Sequence, residues 1–314
     1  MSIFALLSAL VACVVLVVRW WLLYRPQTGP VRESFDGVVY AVGEASVAER
    51  ASVAPRTTVF CMHGFVEGPE YFTGFYADPS VQLVLISSAD YHPLATPIPA
   101  PWATPLTAAP GSIEYDAAVL VQALEHLPKT QSIRVHGHSR GGAVVLEASV
   151  LRPELFADVE VLLDTPVLPG ARVRGRTSAL MLWLLPFLIP LWRARPITER
   201  NAKVWGRLDD ARKRALVMSL PFNPKRAVTI ARGLESIRNW QARTDERHYA
   251  AVRGTVLIAG DDRVLDSRSM RASAERAKEL RIIDAPTSSH FVLFDNPEVV
   301  PPLLPTPLTT PVLR

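Results

Sequence analysis

The sequence predicts an α/β protein in which a mostly parallel central sheet carries helices on both faces, with a helical cap inserted into it and a transmembrane helix in front of it. Three observations favour this architecture. Apolar segments typical of buried strands alternate with helical segments, residues 3–18 contain no charged side chain, and residues 170–250 carry helical patterns with no evident strand. The chain has 314 residues, 49% of them hydrophobic and 20% charged, so it can bury a large core and is not a disordered protein.

The N-terminal segment is predicted to be an uncleaved single-pass membrane anchor. Residues 3–23 would form a helix of about 31 Å at ~1.5 Å per residue, which matches a hydrocarbon core of ~30 Å. Arg19 lies near the end of this run, where a long basic side chain can reach the membrane interface. Trp20, Trp21 and Tyr24 supply the aromatic belt that is typical of the same position.

A cleaved signal peptide is the alternative for this segment. Leu10 to Cys13 resembles a lipoprotein box, but mostly apolar residues follow it, and neither a basic n-region nor a small-residue cleavage site is evident. The flank before the helix has no side-chain charge, whereas Arg25 and Arg32 follow the helix. The positive-inside rule therefore predicts a folded domain on the cytoplasmic side, and a domain facing a periplasm or lumen stays open as the second orientation.

Strands and helices alternate along most of the remaining chain. The predicted strands cover residues 38–42, 57–62, 81–86, 132–135, 159–163, 255–259 and 281–283. The predicted helices cover residues 113–127 with Ser112 as N-cap, residues 141–148 and a segment that begins near Ser267. Two proline-rich stretches, 93–110 and 297–311, are expected to run extended over the surface. Apolar strands separated by helices predict a parallel sheet that is covered on both faces.

Residues 170–250 are predicted to form the cap. They hold 17 Lys+Arg and 6 Asp+Glu, a net charge of +11, whereas the whole chain carries a formal net charge of only +4. Residues 178–192 are almost all apolar but proline-broken, and too short for a second membrane span. They are either a helix buried in the core or a lid that lines an acyl-chain pocket or dips into the membrane interface. The predicted division of the chain is an anchor at 1–25, a first part of the core at 26–169, the cap at 170–250, and a second part of the core with a proline-rich tail at 251–314.

The motif that carries chemistry lies at the junction of a predicted strand and a predicted helix. Gly137-x-Ser139-x-Gly141 follows a buried strand directly, and this arrangement is typical of a nucleophile elbow. The two glycines let the backbone make a strained turn without a Cβ clash. The turn exposes the serine hydroxyl and directs the N-terminus of the next helix at developing negative charge. Ser139 is therefore the predicted nucleophile.

A serine nucleophile needs a base and an acid that orients the base. His290, late in the chain and after a short strand, is the predicted base. Asp262, which follows the strand 255–259, is the predicted acid. Its neighbour Asp261 stays open as an alternative, and Asp266 and Asp164 are weaker candidates.

The mechanism also requires an oxyanion hole. We expect one backbone N–H from Arg140, the residue after the nucleophile, and one from Phe65 in the loop after the strand 57–62. His63 is expected to fix this loop by hydrogen bonds, next to Gly64, because no further ligands stand at metal spacing. No metal or cofactor is expected. The remaining histidines are expected to be surface or hydrogen-bonded residues without a role: His92, His126, His136, His138 and His248.

The order of these motifs resembles the α/β-hydrolase superfamily. His63-Gly64, then Gly137-His138-Ser139-Arg140-Gly141, then Gly260-x-Asp262, then Ser289-His290-Phe291 follow one another as in that superfamily, over about residues 38–300. The resemblance implies a cap inserted after the strand that ends at Leu163. A serine nucleophile differs from the aspartate of the haloalkane dehalogenase and epoxide hydrolase branches. Arg140 stands where relatives commonly have a neutral side chain, so its guanidinium is expected to bind a carboxylate or phosphate or to pair with a nearby acid.

An anchor combined with an apolar cap is similar to membrane-anchored bacterial esterases, lipases and (lyso)phospholipases. The leading hypothesis is a membrane-anchored serine ester hydrolase that acts on lipids or other hydrophobic esters. A thioesterase, acyltransferase or C–C hydrolase with the same triad is one alternative, and a non-catalytic binding scaffold is another. No nucleic-acid partner is expected at this charge, and the oligomeric state stays open.

Overall fold

The computed structural model describes residues 2–25, 35–89, 91–174, 178–199, 201–219 and 224–303. Within these ranges the strands are β1 (Val38–Val42), β2 (Ala45–Arg50), β3 (Thr57–Met62), β4 (Val81–Ser87), β5 (Ile98–Pro99), β6 (Ile133–His138), β7 (Val159–Asp164), β8 (Arg253–Ala259) and β9 (Leu280–Ala285). The α-helices are α1 (Ile3–Tyr24), α2 (Glu70–Thr73), α3 (Ile113–His126), α4 (Arg140–Leu151), α5 (Ala179–Ala194), α6 (Ala202–Trp205), α7 (Ala211–Ser219), α8 (Ala227–Arg243), α9 (Ser267–Ala274) and α10 (Val292–Asp295).

All described strands belong to one sheet, in the order β5-β1-β2-β4-β3-β6-β7-β8-β9. β2 runs antiparallel to both of its neighbours, and every other pair is parallel, so the prediction of a mostly parallel sheet is confirmed. The register pairs Met62 of β3 with Gly137 of β6, and His138 with Asp164 of β7. The carboxyl ends of these strands therefore meet at one edge, where ligand sites of parallel sheets form.

The sheet is covered on both faces, as predicted. Side chains of β3 alternate between two apolar clusters: Phe60 and Met62 pack on one face, and Val59 and Cys61 on the other. The first cluster is completed by α3, α4 and α9, and the second by α2, α7 and α10. Ser112 caps α3 by accepting a hydrogen bond from the backbone N–H of Tyr115 at 3.1 Å, in agreement with its predicted role.

Strand β2 was not predicted, and its side chains explain why. Ser46 and Glu49 are polar but buried, so β2 lacks the apolar pattern of a core strand. Glu49 is satisfied from other parts of the chain, by Lys129 Nζ at 2.6 Å and Gln82 Nε2 at 2.8 Å. A buried carboxylate with distant partners gives no local signal for a strand.

The region between β7 and β8 is helical within its described residues, with α5 to α8 in chain order. The expectation that proline breaks the apolar segment 178–192 is wrong. Pro186 and Pro190 lie inside a single helix, α5. Each proline removes one backbone hydrogen bond, but Leu185 and Ile189 of the same helix are buried against Leu23 and Ala227, and this packing offsets the loss.

Helix α1 is, among the described helices, the one long and apolar enough to cross a membrane. Most of its side chains are exposed, and its last turns contact the cap. Leu23 packs against Leu185 and Ile189 of α5, and Arg19 Nε donates to the carbonyl of Trp183 at 3.3 Å.

The proline-rich stretches have different surroundings. Within 93–110, Ile98–Pro99 forms the short edge strand β5, where a missing N–H costs little. The second stretch does not begin extended as expected, since Pro297–Val299 forms a 3-10 helix. Arg134 then donates to the carbonyls of Pro301 and Pro302 at 2.9 and 2.7 Å. Residues 304–314 of the predicted tail, and Arg32 of the predicted basic flank, lie outside the described residues.

Candidate active site

Ser139 occupies the sharp turn between β6 and α4. Its backbone has φ 51° and ψ −118°, a conformation that costs free energy for any residue with a Cβ. A Cβ on Gly141 would collide with the carbonyl oxygen of Met62, and one on Gly137 would lie 2.6 Å from the carbonyl oxygen of Gly141. Glycine is therefore required on both sides of Ser139, as the elbow motif implies.

Asp262 and His290 form the closest acid–imidazole pair at this edge of the sheet. Asp262 Oδ2 lies 2.7 Å from His290 Nδ1, and both side chains are buried. Oδ1 of the same carboxylate accepts the backbone N–H groups of Val264 and Leu265 at 2.7 and 2.9 Å. Burial raises the pKa of Asp262, but the charge and hydrogen bonds of His290 and these two N–H groups outweigh it, so the pKa is lowered.

The structure places the alternative acids elsewhere. Asp261 is exposed and lines a separate surface cavity. Asp266 caps α9 by accepting from the N–H of Ser269 at 2.8 Å. Asp164 contacts His138 and the hydroxyl of Tyr71, at 3.2 and 2.6 Å, rather than His290.

Ser139 and His290 line one cavity of about 400 Å³. Within the described part of the chain, Ser139 Oγ makes no hydrogen bond with His290. Catalytic hydrogen bonds are often long in substrate-free sites and tighten when substrate binds. The cavity wall is mostly apolar, with α5 and α8 of the predicted cap supplying Met181, Leu182, Leu185, Trp192, Ile230 and Leu234.

The loop after β3 lies beside Ser139 and is held by buried hydrogen bonds. The N–H of Ser88 donates to His63 Nε2 at 3.1 Å, so His63 Nδ1 carries the proton and donates to the carbonyl of Gly64 at 2.6 Å. Burial lowers the pKa of His63 to about 3, which keeps the ring neutral. His63 thus joins Gly64, after β3, to Ser88, after β4.

Two backbone N–H groups remain available near Ser139. In the loop, the N–H of Gly64 is taken by Glu67 Oε2 at 2.8 Å and that of Val66 by the hydroxyl of Tyr91 at 2.7 Å. The N–H of Phe65, between them, has no acceptor among the described residues. The N–H of Arg140 begins α4, where no acceptor within the helix exists. These are the two predicted donors of an oxyanion hole.

The side chain of Arg140, unlike its backbone N–H, is fully engaged with other residues. It is buried, pairs with Asp116 Oδ2 at 2.6 Å, and donates to Ser88 Oγ at 3.2 Å and the Gly111 carbonyl at 3.0 Å. Of the expected alternatives, the structure has the pairing with a nearby acid. Arg140 therefore ties the start of α4 to α3 and β4.

A second buried charged group lies beside the pair of Asp262 and His290. His138 Nε2 is 3.4 Å from Glu67 Oε2, its Nδ1 is 3.2 Å from Asp164 Oδ2, and its ring centroid is 4.9 Å from that of His290. Burial lowers the pKa of His138, but Glu67 and Asp164 raise it more, so the net shift is upward. Burial raises the pKa of Glu67. Burial also raises the pKa of Asp164, but His138, His136 and the hydroxyl of Tyr71 together outweigh it, so the net shift is downward.

Sequence reasoning missed this group. His138 was expected to be a residue without a role, and Glu67 was not considered. The available signal was position: Glu67 follows His63-Gly64 closely, and His138 lies inside the serine motif. The described residues contain no cluster of three or more metal-ligating side chains.

Comparison with known proteins gives a family and a fold. Residues 59–301 match the model of the alpha/beta hydrolase family. Similar solved structures include an esterase from Exiguobacterium antarcticum, with 13% identity, a TM-score of 0.56, and coverage of 83% of this chain and 95% of that chain. A lipase-esterase related protein from Clostridium acetobutylicum ATCC 824 has 10% identity, a TM-score of 0.57, and coverage of 82% and 96%.

An alpha/beta hydrolase fold protein from Nakamurella multipartita has 14% identity, a TM-score of 0.55, and coverage of 84% and 94%. At these identities the likeness shows the fold alone. A comparison with curated protein sequences gives no match.

Proposed function

Because the chain belongs to the alpha/beta hydrolase family, we propose that it is a serine hydrolase that cleaves carboxylic esters of lipid-like substrates. One observation carries the proposal. Ser139, on its strained turn, lines the same apolar cavity as His290. The Nδ1 atom of His290 lies 2.7 Å from Asp262 Oδ2. This arrangement supports Ser139 as the nucleophile, His290 as the base and Asp262 as the orienting acid of an acyl transfer.

In the proposed mechanism, Ser139 Oγ attacks the ester carbonyl while His290 Nε2 takes its proton. Asp262 holds the imidazole in the tautomer with the proton on Nδ1, so that Nε2 can accept. The N–H groups of Phe65 and Arg140 stabilise the oxyanion of the tetrahedral intermediate. His290 then returns the proton to the leaving alcohol, and water cleaves the acyl-enzyme by the same steps in reverse.

The cavity wall supports an apolar acyl group as part of the substrate. This wall is in contact with helix α1, because Leu185 lines the cavity and also packs against Leu23 at the end of α1. If α1 spans the bilayer, the cavity lies close to the membrane surface. Trp183 and Leu191 expose apolar surface on α5, where an interfacial helix would present it to lipid.

Reaction with a fluorophosphonate probe tests the proposed nucleophile. The detergent-solubilised wild-type chain should be labelled, and Ser139→Ala should not, because only a serine activated by a base attacks phosphorus rapidly. Unfolding curves of both proteins serve as the control for folding. A folded wild type that resists labelling contradicts the proposed hydrolase. Turnover of a thioester in preference to the matched oxyester would instead favour a thioesterase.

We also propose that α1 is retained as a membrane anchor, with the catalytic part on the cytoplasmic side, because Arg25 follows the helix and no charged side chain precedes it. The full chain should stay in the pellet when membranes are extracted with alkaline carbonate, because a spanning helix is not released by charge repulsion. Its intact mass should include residues 1–25. Release into the supernatant, or a mass that shows cleavage after this segment or lipidation at Cys13, contradicts the anchor.

A further inference from the structure

We propose that Glu67 and Trp205 form a subsite for a hydroxyl-bearing alcohol group next to the scissile ester, which selects partial esters of polyols such as monoacylglycerols. This inference rests on the proposed function and specifies its substrate class. Both residues line the cavity that contains Ser139 and His290.

The first argument is the unused hydrogen-bonding capacity of the cavity wall. Among the lining side chains, two buried polar atoms have no partner in the described part of the chain: Glu67 Oε1 and Trp205 Nε1. Asn201, another polar lining residue, uses its side chain locally, since Nδ2 donates to the Pro196 carbonyl and Oδ1 accepts from the N–H of Thr198, both at 2.7 Å. Buried polar atoms are rarely left unpaired, so a polar group that enters the cavity gains a hydrogen bond by pairing with either atom.

The second argument is that the carboxyl group of Glu67 lies close to the proposed nucleophile, Ser139. Glu67 is only 3% exposed, and its Oε2 accepts the N–H of Gly64 at 2.8 Å. A Cβ on Gly64 would collide with this Oε2 and would lie 3.1 Å from Ser139 Cβ. The carboxyl group therefore stands beside the reacting serine, where it meets groups close to the ester bond.

The third argument is charge, which selects a neutral hydroxyl over an ion. His138 Nε2 lies 3.4 Å from the same carboxyl and would oppose a cationic substrate group, and the carboxyl itself would oppose an anionic one. A hydroxyl fits in either protonation state, because it donates to a carboxylate and accepts from a carboxylic acid. Trp205 adds an N–H donor, so a polyol finds both an acceptor and a donor.

The test compares kcat/KM for 1-monobutyrylglycerol, its di-O-methyl ether and propyl butyrate, which share one acyl group. Wild type should prefer the free glycerol ester by about tenfold or more, because unpaired site groups penalise substrates that lack the hydroxyls. Glu67→Leu should abolish the preference, because kcat/KM for the free glycerol ester should fall about tenfold more than kcat/KM for propyl butyrate. Trp205→Phe, which keeps an aromatic ring, should reduce the preference.

The outcomes separate the subsite from the proposed function. Equal losses for all three esters in Glu67→Leu would show a role in holding the loop only, and would overturn the subsite. A wild type that reacts with fluorophosphonate but does not distinguish the glycerol ester from its methyl ether overturns the subsite without any variant. A wild type that fails to react with the probe overturns the proposed function and the subsite together.

Discussion

Replacement of Asp262 by asparagine is expected to lower kcat for a short-chain ester by about 10⁴-fold while the fold is preserved. The expectation follows from the way the carboxylate is held. Oδ1 accepts two backbone N–H groups, of Val264 and Leu265, and Oδ2 faces His290 Nδ1 at 2.7 Å. In the variant the amide oxygen keeps the two N–H groups as its donors, so the NH₂ group faces the imidazole.

This orientation forces the wrong tautomer on His290. With an amide NH₂ opposite, Nδ1 must accept, so the proton moves to Nε2, which can no longer take the proton of Ser139. Steady-state kinetics of the variant measure the loss. Asp261→Asn is the matched control, because it makes the same chemical change at the adjacent position, which is exposed, and should keep activity within about twofold of wild type. A larger loss of kcat in Asp261→Asn than in Asp262→Asn would identify Asp261 as the acid.

The elements that could be predicted are those with a local signal. Strands β3, β4 and β7 each contain a run of apolar residues because they are buried on both faces, and the elbow around Ser139 has a fixed spacing of glycines. Asp262 and His290 were selected by their positions after strands, since the carboxyl ends of parallel strands meet at one edge.

The elements that escaped prediction depend on distant partners. Glu49 sits in a strand because Lys129 and Gln82 satisfy it there, and nothing around it in the sequence shows that. Glu67 is likewise buried beside His138 only because strands β3 and β6 are neighbours in the sheet. Helix α5 continues through two prolines because its tertiary packing outweighs the low helix propensity of proline.

The burial of Lys213, within the predicted cap, likewise could not be predicted from the local sequence. Its neighbours Arg212 and Arg214 on α7 are exposed, whereas Lys213 is fully buried. Its Nζ lies 2.6 Å from Asp295 Oδ1 and 3.1 Å from Ser289 Oγ, next to the base His290. One basic residue in a basic helix therefore joins the cap to the loop that carries the base, and no pattern in the sequence separates it from its neighbours.

Loss of this charge is expected to destabilise the protein strongly. Lys213→Met removes one partner of a buried ion pair and leaves Asp295 uncompensated, so the free energy of unfolding should fall by about 3 kcal/mol. Urea unfolding at pH 7 measures the change, with Arg212→Met on the exposed face of the same helix as the control, expected within about 0.5 kcal/mol of wild type. Lys213→Met combined with Asp295→Asn should recover part of the loss, because no unpaired charge then remains buried. If the double variant is instead less stable than Lys213→Met by as much as Asp295→Asn alone is less stable than wild type, the two side chains do not act as a pair. The cap would then be held to the core by its apolar contacts.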